Sequence, residues 1–244
     1  TEATFAELMN QYAGELGMAD THYTNAAGLP DPEHYSTAAD TARLVRALIE
    51  RFPDYYDYYS QRAFTWNDIE QFNRNRMLWQ DETVDGVKTG YTETAGYCLA
   101  TSADRDGMRL ISVVMGADNP GARVEQSKAL LNYGYRFFET HRLYAAGEAI
   151  ETPRIWKGQA DNLPVGVTQD LFVTIPARAY DRLDARLALD GQIEAPVDAG
   201  EPVGRLAVTI GDETVTEQDI VALETIAEGG IISRVIDELL LWLE

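Results

Sequence analysis

The chain has 244 residues, 45% of them hydrophobic and 10% aromatic, so it can bury a core and is long enough for one or two domains. Lys and Arg number 20 against 40 Asp and Glu, a formal charge of −20 that repels phosphate backbones and excludes nucleic acid as a partner. No run of 18 apolar residues is present, which excludes a spanning helix, and the one cysteine, Cys98, excludes an intrachain disulfide.

The chain starts with Thr inside a helical pattern, where Phe5, Leu8, Met9, Tyr12 and Leu16 recur at helical spacing. It shows no signal peptide. The start reads as uncapped, so an upstream segment is expected. A turn-rich stretch follows, "THYTNAAGLPDPEHY", punctuated by Gly28, Pro30 and Pro32. Thr37 and Asp40 then form a near capping box for a second helix, with Thr41, Leu44, Val45 and Leu48 on one face and Pro53 at its end. The aromatic segment "YYDYYSQRAFTWN" reads as a covering loop with a short hairpin.

Three strands are predicted around 84–90, 96–103 and 109–116, the last two apolar enough to be central in an antiparallel sheet. Cys98 falls in the second, where it reads as a small buried hydrophobe. Pro120 opens a long helix through Glu139, aligning Val124, Leu131, Tyr135 and Phe138. Helices flanking strands predict an α/β sandwich for residues 1–145.

From about residue 146 to 228 the texture changes to short alternating strands: "DLFVTIP", "RLDARLALD", "VGRLAVTIG" and "DIVALETI". This predicts a small all-β sandwich. Residues 229–244 return to helical period, with Ile231, Ile232, Val235, Ile236, Leu239, Leu240 and Trp242 on a broad face. That amphipathic helix, ~21 Å long at 1.5 Å per residue, is too short to cross a bilayer. It packs on its own domain or lies in a membrane interface, where Asp237, Glu238 and Glu244 would oppose anionic lipid.

The chemistry centres on "VDGVKTGYTETAGYCLA". Lys-Thr-Gly alone is a weak motif, but here it ends one predicted strand and faces another. Gly90 leaves no side chain between the strand backbone and an incoming extended peptide, which could pair with that edge. Lys88 and Thr89 suit a terminal carboxylate. Metal chemistry is disfavoured, because His22, His34 and His141 are scattered without ligand spacing.

Taken with "NAAGLP", "YSTAAD", "FNRNRMLW", "MRLISVVMG", "SKALLNYGYRFFET" and "IAEGG", this segment resembles the low-molecular-mass penicillin-binding proteins that act as serine D-alanyl-D-alanine carboxypeptidases. The resemblance covers essentially the whole chain and is closest to the two-domain, C-terminally anchored type. It implies an N-terminally truncated transpeptidase/β-lactamase-like α/β (α+β) domain over 1–145, a β-sandwich over 146–228 and an anchor helix over 229–244. It also implies removal of the terminal D-alanine from peptidoglycan stem peptides through an acyl-enzyme, inhibition by β-lactam antibiotics, no cofactor, and a periplasmic location on the outer face of the inner membrane.

Of the family's three motifs, Ser-x-x-Lys, Ser-x-Asn and Lys-Thr-Gly, only the third is present. The residues three before Lys88, Lys128 and Lys157 are Asp85, Glu125 and Arg154, and no serine has Asn two places on. The chain alone is therefore expected to lack acyl-transfer activity. By resemblance, Lys88, Thr89 and Gly90 bind the substrate carboxylate, the backbone N–H of Tyr91 is an oxyanion donor, and Arg74 and Arg123 are cleft arginines. Tyr91 stands where family members often have His. A catalytically dead scaffold and a β-lactamase-like hydrolase are the rival readings.

Overall fold

The computed structural model describes residues 1–231, 234, 235, 237 and 238. It separates into two compact units, Thr1–Phe137 and Phe138–Glu244, each with its own hydrophobic core.

In the first unit, α1 (Glu2–Glu15) is capped after all: the Thr1 hydroxyl accepts from the backbone N–H of Thr4. Its buried positions are Ala6 and Ala13, whereas Phe5, Leu8 and Tyr12 of the expected apolar face are exposed among the described residues. The small residues are thus the buried ones, and the bulky stripe lies outside. The connection to α2 (Ala38–Arg51) is tied by polar side chains rather than by a core. Asn10 exchanges two hydrogen bonds with the backbone of Tyr23, and the buried Asp40 accepts from the Thr21 hydroxyl and the Asp20 amide. Thr37 caps α2 through the Asp40 amide, as its spacing predicts.

Pro53 opens α3 (Pro53–Tyr56) and a 3-10 turn (Asp57–Ser60) rather than a loop. The expected hairpin is β1 (Ala63–Trp66) paired with β2 (Ile69–Phe72), exposed along its whole length. A short α4 (Met77–Gln80) leads into β3 (Val84–Thr92), β4 (Gly96–Arg105) and β5 (Met108–Ala117), an antiparallel sheet in the order β3-β4-β5. Only β4 is central. β5, expected beside it in that role, is an edge strand among the described residues.

α5 (Pro120–Phe137) covers one face of this sheet, burying Val124 and Leu131 against Leu99 and Ala103. α2 covers the other through Val45, which joins Tyr56, Val87 and Ala100. The result is a helix–sheet–helix sandwich, and it leaves the outer edge of β3 to be accounted for.

The second unit begins at Phe138, earlier than the 145/146 division expected from composition. Phe138 leaves the helical pattern because β6 (Phe138–Tyr144) pairs with the later segment Leu171–Pro176. The remaining strands are β7 (Ala149–Glu151), β8 (Ile155–Trp156), β9 (Val165–Gly166), β10 (Leu171–Pro176), β11 (Leu183–Leu189), β12 (Ile193–Glu194), β13 (Pro202–Ile210) and β14 (Glu213–Ala222). Five form a sheet in the order β11-β13-β14-β9-β7. Val173 and Ile175 of β10 share one core with Leu206, Val208 and Ile220 of that sheet, an all-β arrangement with two faces packed together.

Of the predicted tail helix, residues 232, 233, 236 and 239–244 lie outside the described residues, so most of its expected apolar face is not described. Positions 231, 234, 235, 237 and 238 are helical. Asp237 accepts from the Lys157 backbone amide at 2.7 Å and from Arg154 at 3.1 Å, while Lys157 bridges Glu194 and Glu238. The acidic side of the tail is thus held by the two cations of the β8 segment. Among the described residues no helix is long and apolar enough to cross a membrane.

Candidate active-site cleft

β3 is built to be held at its start and bare at its end. At its start, the Tyr56 hydroxyl donates to Asp85 Oδ1 and Arg109 Nη1 donates to Asp85 Oδ2, both at 2.7 Å. Arg109 also reaches the Ser102 hydroxyl on the neighbouring strand. Burial above all, with the Asp85 carboxylate behind it, pushes the Tyr56 phenol far above its ordinary value, so it stays a donor. Beside it the buried Asn75 donates to the Gly86 carbonyl at 2.9 Å and accepts from the Met77 amide. A Cβ at Gly86 would lie 2.5 Å from the Tyr56 hydroxyl oxygen, so a glycine is required there by packing.

Gly90 is different. A Cβ there would meet only the Cβ of Cys98, at 3.8 Å, which is ordinary contact. Nothing inside the chain demands a glycine at this position, so its bareness serves the outside of the strand. Lys88 and Tyr91 are exposed and Thr89 is half-buried, on a strand with β4 on one side and, among the described residues, no strand on the other.

The far end is anchored by Arg123 of α5. Only 7% exposed, it donates from Nη1 to the carbonyls of Gly90 at 3.1 Å and Cys98 at 3.2 Å. Its guanidinium lies over the Tyr97 ring, 5.5 Å from the centroid, and Tyr97 stacks on Tyr91 at 4.2 Å. Burial, followed by the charges of Arg76 and Arg74, holds the Arg123 pKa below its ordinary value, against an opposing pull from Cys98 and Tyr97.

A cleft of about 530 Å³ opens beside this strand end. Thr89, Gly90 and Tyr91 form one wall, and Arg74, Arg76 and Arg123 contribute to the remainder. The expected residues Thr89, Gly90, Tyr91, Arg74 and Arg123 are therefore brought together. Lys88 is not on that wall: its ammonium donates to the carbonyl of the next residue, Thr89. Arg123 differs from a free cleft arginine, since it is committed to fixing the backbone of the strand.

Asn75, Arg76 and Tyr97 escaped the sequence reading. Arg76 stood in "FNRNRMLW" with Arg74, and only their two-residue spacing on one connection could have pointed to it. Among the described residues no group of three or more His, Cys, Asp or Glu is placed to hold a metal ion.

The family profile described as D-alanyl-D-alanine carboxypeptidase matches residues 1–119, and that described as the C-terminal domain of penicillin-binding protein 5 matches residues 138–228. Penicillin-binding protein 5 from Haemophilus influenzae superposes with a TM-score of 0.82 at 36% identity, covering 93% of this chain and 67% of that one. The chain belongs to the low-molecular-mass penicillin-binding proteins of the D-alanyl-D-alanine carboxypeptidase family.

Within this family, D-alanyl-D-alanine carboxypeptidase DacD of Escherichia coli K12 is 40% identical over 236 residues, 96% of this chain and 61% of the relative. The chain thus spans about three-fifths of the length of the curated relatives it matches. Penicillin-binding protein D2 of Listeria monocytogenes, solved with ampicillin bound, superposes on 55% of this chain and 56% of its own at a TM-score of 0.52 and 32% identity.

Proposed function

We propose that the full-length protein carrying this chain is a serine D-alanyl-D-alanine carboxypeptidase, and that this chain supplies the substrate-binding half of its cleft. The observation that carries the reading is the bare end of β3: a strand end with Lys88, Thr89 and Gly90 in sequence, held at the Gly90 carbonyl by Arg123 and opening on a cleft. An extended peptide ending in D-alanine pairs with such an edge through backbone hydrogen bonds, and its anionic end meets the Thr89 hydroxyl and draws the Lys88 ammonium away from the Thr89 carbonyl.

The nucleophilic serine comes from outside this chain, which has no Ser-x-x-Lys. Its attack on the scissile carbonyl forms an acyl-enzyme and releases D-alanine, and water then hydrolyses the ester. The backbone N–H of Tyr91 takes one side of the developing oxyanion. β-Lactams enter the same cleft as mimics of the peptide, a proposal supported by the ampicillin complex of the Listeria relative.

The second unit and residues 229–244 are proposed to hold the enzyme at the outer face of the inner membrane, in the periplasm. The exposed apolar side chains of Ile231 and Val235 support this.

Labelling of the full-length protein with a fluorescent penicillin tests the activity. Covalent label that is competed by unlabelled penicillin supports the reading, and folded protein that takes no label refutes it.

A further inference from the structure

The described part of the tail has acidic side chains held by the second unit and apolar ones left outside. Just before it, the chain is tied to the segment after β8 by backbone bonds: Gln159 donates to Ala227 and Gly229 donates to Lys157. Asp237 then accepts from the Lys157 amide and from Arg154, whose guanidinium lies 3.8 Å from the centroid of the buried Trp156 ring. The Lys157 ammonium lies 2.8 Å from Glu194 and 2.7 Å from Glu238. Lys157 makes these contacts at φ +61°, a left-handed conformation that a long side chain seldom adopts. Glycine would relieve that conformation but carry no ammonium.

Arg234 is taken by Glu228, so Arg154, Lys157 and Arg234 are all paired within the protein rather than left for anionic headgroups. With these contacts in place, Ile231 and Val235, one helical turn apart, remain 81% and 55% exposed. Holding the acids therefore leaves these apolar positions uncovered. A helix held in one orientation loses less freedom on binding than one on a loose tether, and binds more tightly for it.

We infer that Arg154 and Lys157 form an ionic clasp on the acidic side of the tail helix, fixing its roll so that Ile231 and Val235 meet a lipid surface of no net charge. This rests on the membrane-anchor reading of residues 229–244. Arg154 and Lys157 are positioning residues, acting through the helix.

The test is flotation of the full-length protein with vesicles of phosphatidylcholine, alone or mixed with anionic phosphatidylglycerol. The wild type binds the neutral vesicles and loses affinity as the anionic fraction rises. The double variant Arg154→Ala, Lys157→Ala binds neutral vesicles about three- to tenfold more weakly. Asp237→Ala with Glu238→Ala, which changes the tail alone, weakens binding to a similar degree. The sign of that effect is decisive, because acids that merely opposed lipid would give stronger binding when removed.

Unchanged or stronger binding by the tail variant overturns the clasp, as does wild-type binding that rises with the anionic fraction. If Arg154→Ala, Lys157→Ala misfolds, the tail variant still decides. Deletion of residues 229–244 without loss of vesicle binding refutes the anchor reading itself. Loss on deletion, with both double variants binding as the wild type does, refutes the clasp alone.

Discussion

Arg123 on α5 holds the carbonyl of Gly90 on β3, with 3.1 Å between Nη1 and the oxygen. A cation on a helix thereby fixes the strand backbone at the cleft that both residues line. Arg123→Ala removes the side-chain donor to the carbonyls of both Gly90 and Cys98. The expected cost is about 1.5–3 kcal/mol of stability, read by urea denaturation, together with slower acylation by penicillin. An unchanged midpoint would mean that the clamp does not hold the strand.

Gly90 and Gly96 separate ligand clearance from folding. Gly90→Ala fits within the chain, so its melting temperature stays near that of the wild type. Its new methyl group obstructs the strand edge, and turnover of D-Ala-D-Ala peptides falls about tenfold or more, a loss near 1.4 kcal/mol.

Gly96 has φ +66°, and a Cβ there would lie 3.0 Å from the Gly116 Cα. Gly96→Ala therefore costs roughly 1–3 kcal/mol, measured by the same denaturation. Equal stability of the two variants would contradict this assignment.

Asp40 makes acid stability a test of the loop before α2. Burial acts to raise its carboxyl, but hydrogen bonds from the Thr21 hydroxyl, the Asp20 amide and Arg43 outweigh it and hold the pKa below the ordinary 3.8. The sign follows: the stabilisation is complete above that ordinary value and is lost as pH falls through the lower folded value. Melting curves from about pH 7 to pH 3 should be flat at first and fall below about pH 4. Asp40→Asn should melt lower at neutral pH and lose less on acidification. Parallel profiles would rule out the linkage.

Deleting residues 229–244 addresses location. The expected outcome is release of the full-length protein from membrane fractions with its soluble peptidase activity retained. Membrane retention by the truncated protein would refute the anchor.

Much of this architecture is legible in the sequence because it rests on local signals. Thr37 before Asp40 marks the start of α2, Gly96 and Gly107 punctuate the strands, and the alternation of "LFVTIP" marks β10. The errors are tertiary. Phe138 continues the helical spacing of Val124 and Leu131, yet it opens β6 because a partner strand, paired at separations of 27 to 38 residues, claims Phe138 through Tyr144. The bulky face of α1 reads as a core stripe, but Ala6 and Ala13 are the residues buried.

At the cleft, Thr89, Gly90 and Arg74 are read from their motifs. Arg76 and Asn75 act through positions that no spacing rule reveals: one by facing an opening that several segments build together, the other by bonding the Gly86 carbonyl across a turn.

The most direct test is the rate at which penicillin acylates the full-length protein with and without the Lys88 ammonium. Lys88→Ala is expected to fold normally, since the side chain is exposed. It should be acylated about ten- to a hundredfold more slowly, the loss of one charge-assisted contact to the drug's carboxylate. Acylation of Lys88→Ala at the wild-type rate would show that the anionic end of the ligand binds elsewhere.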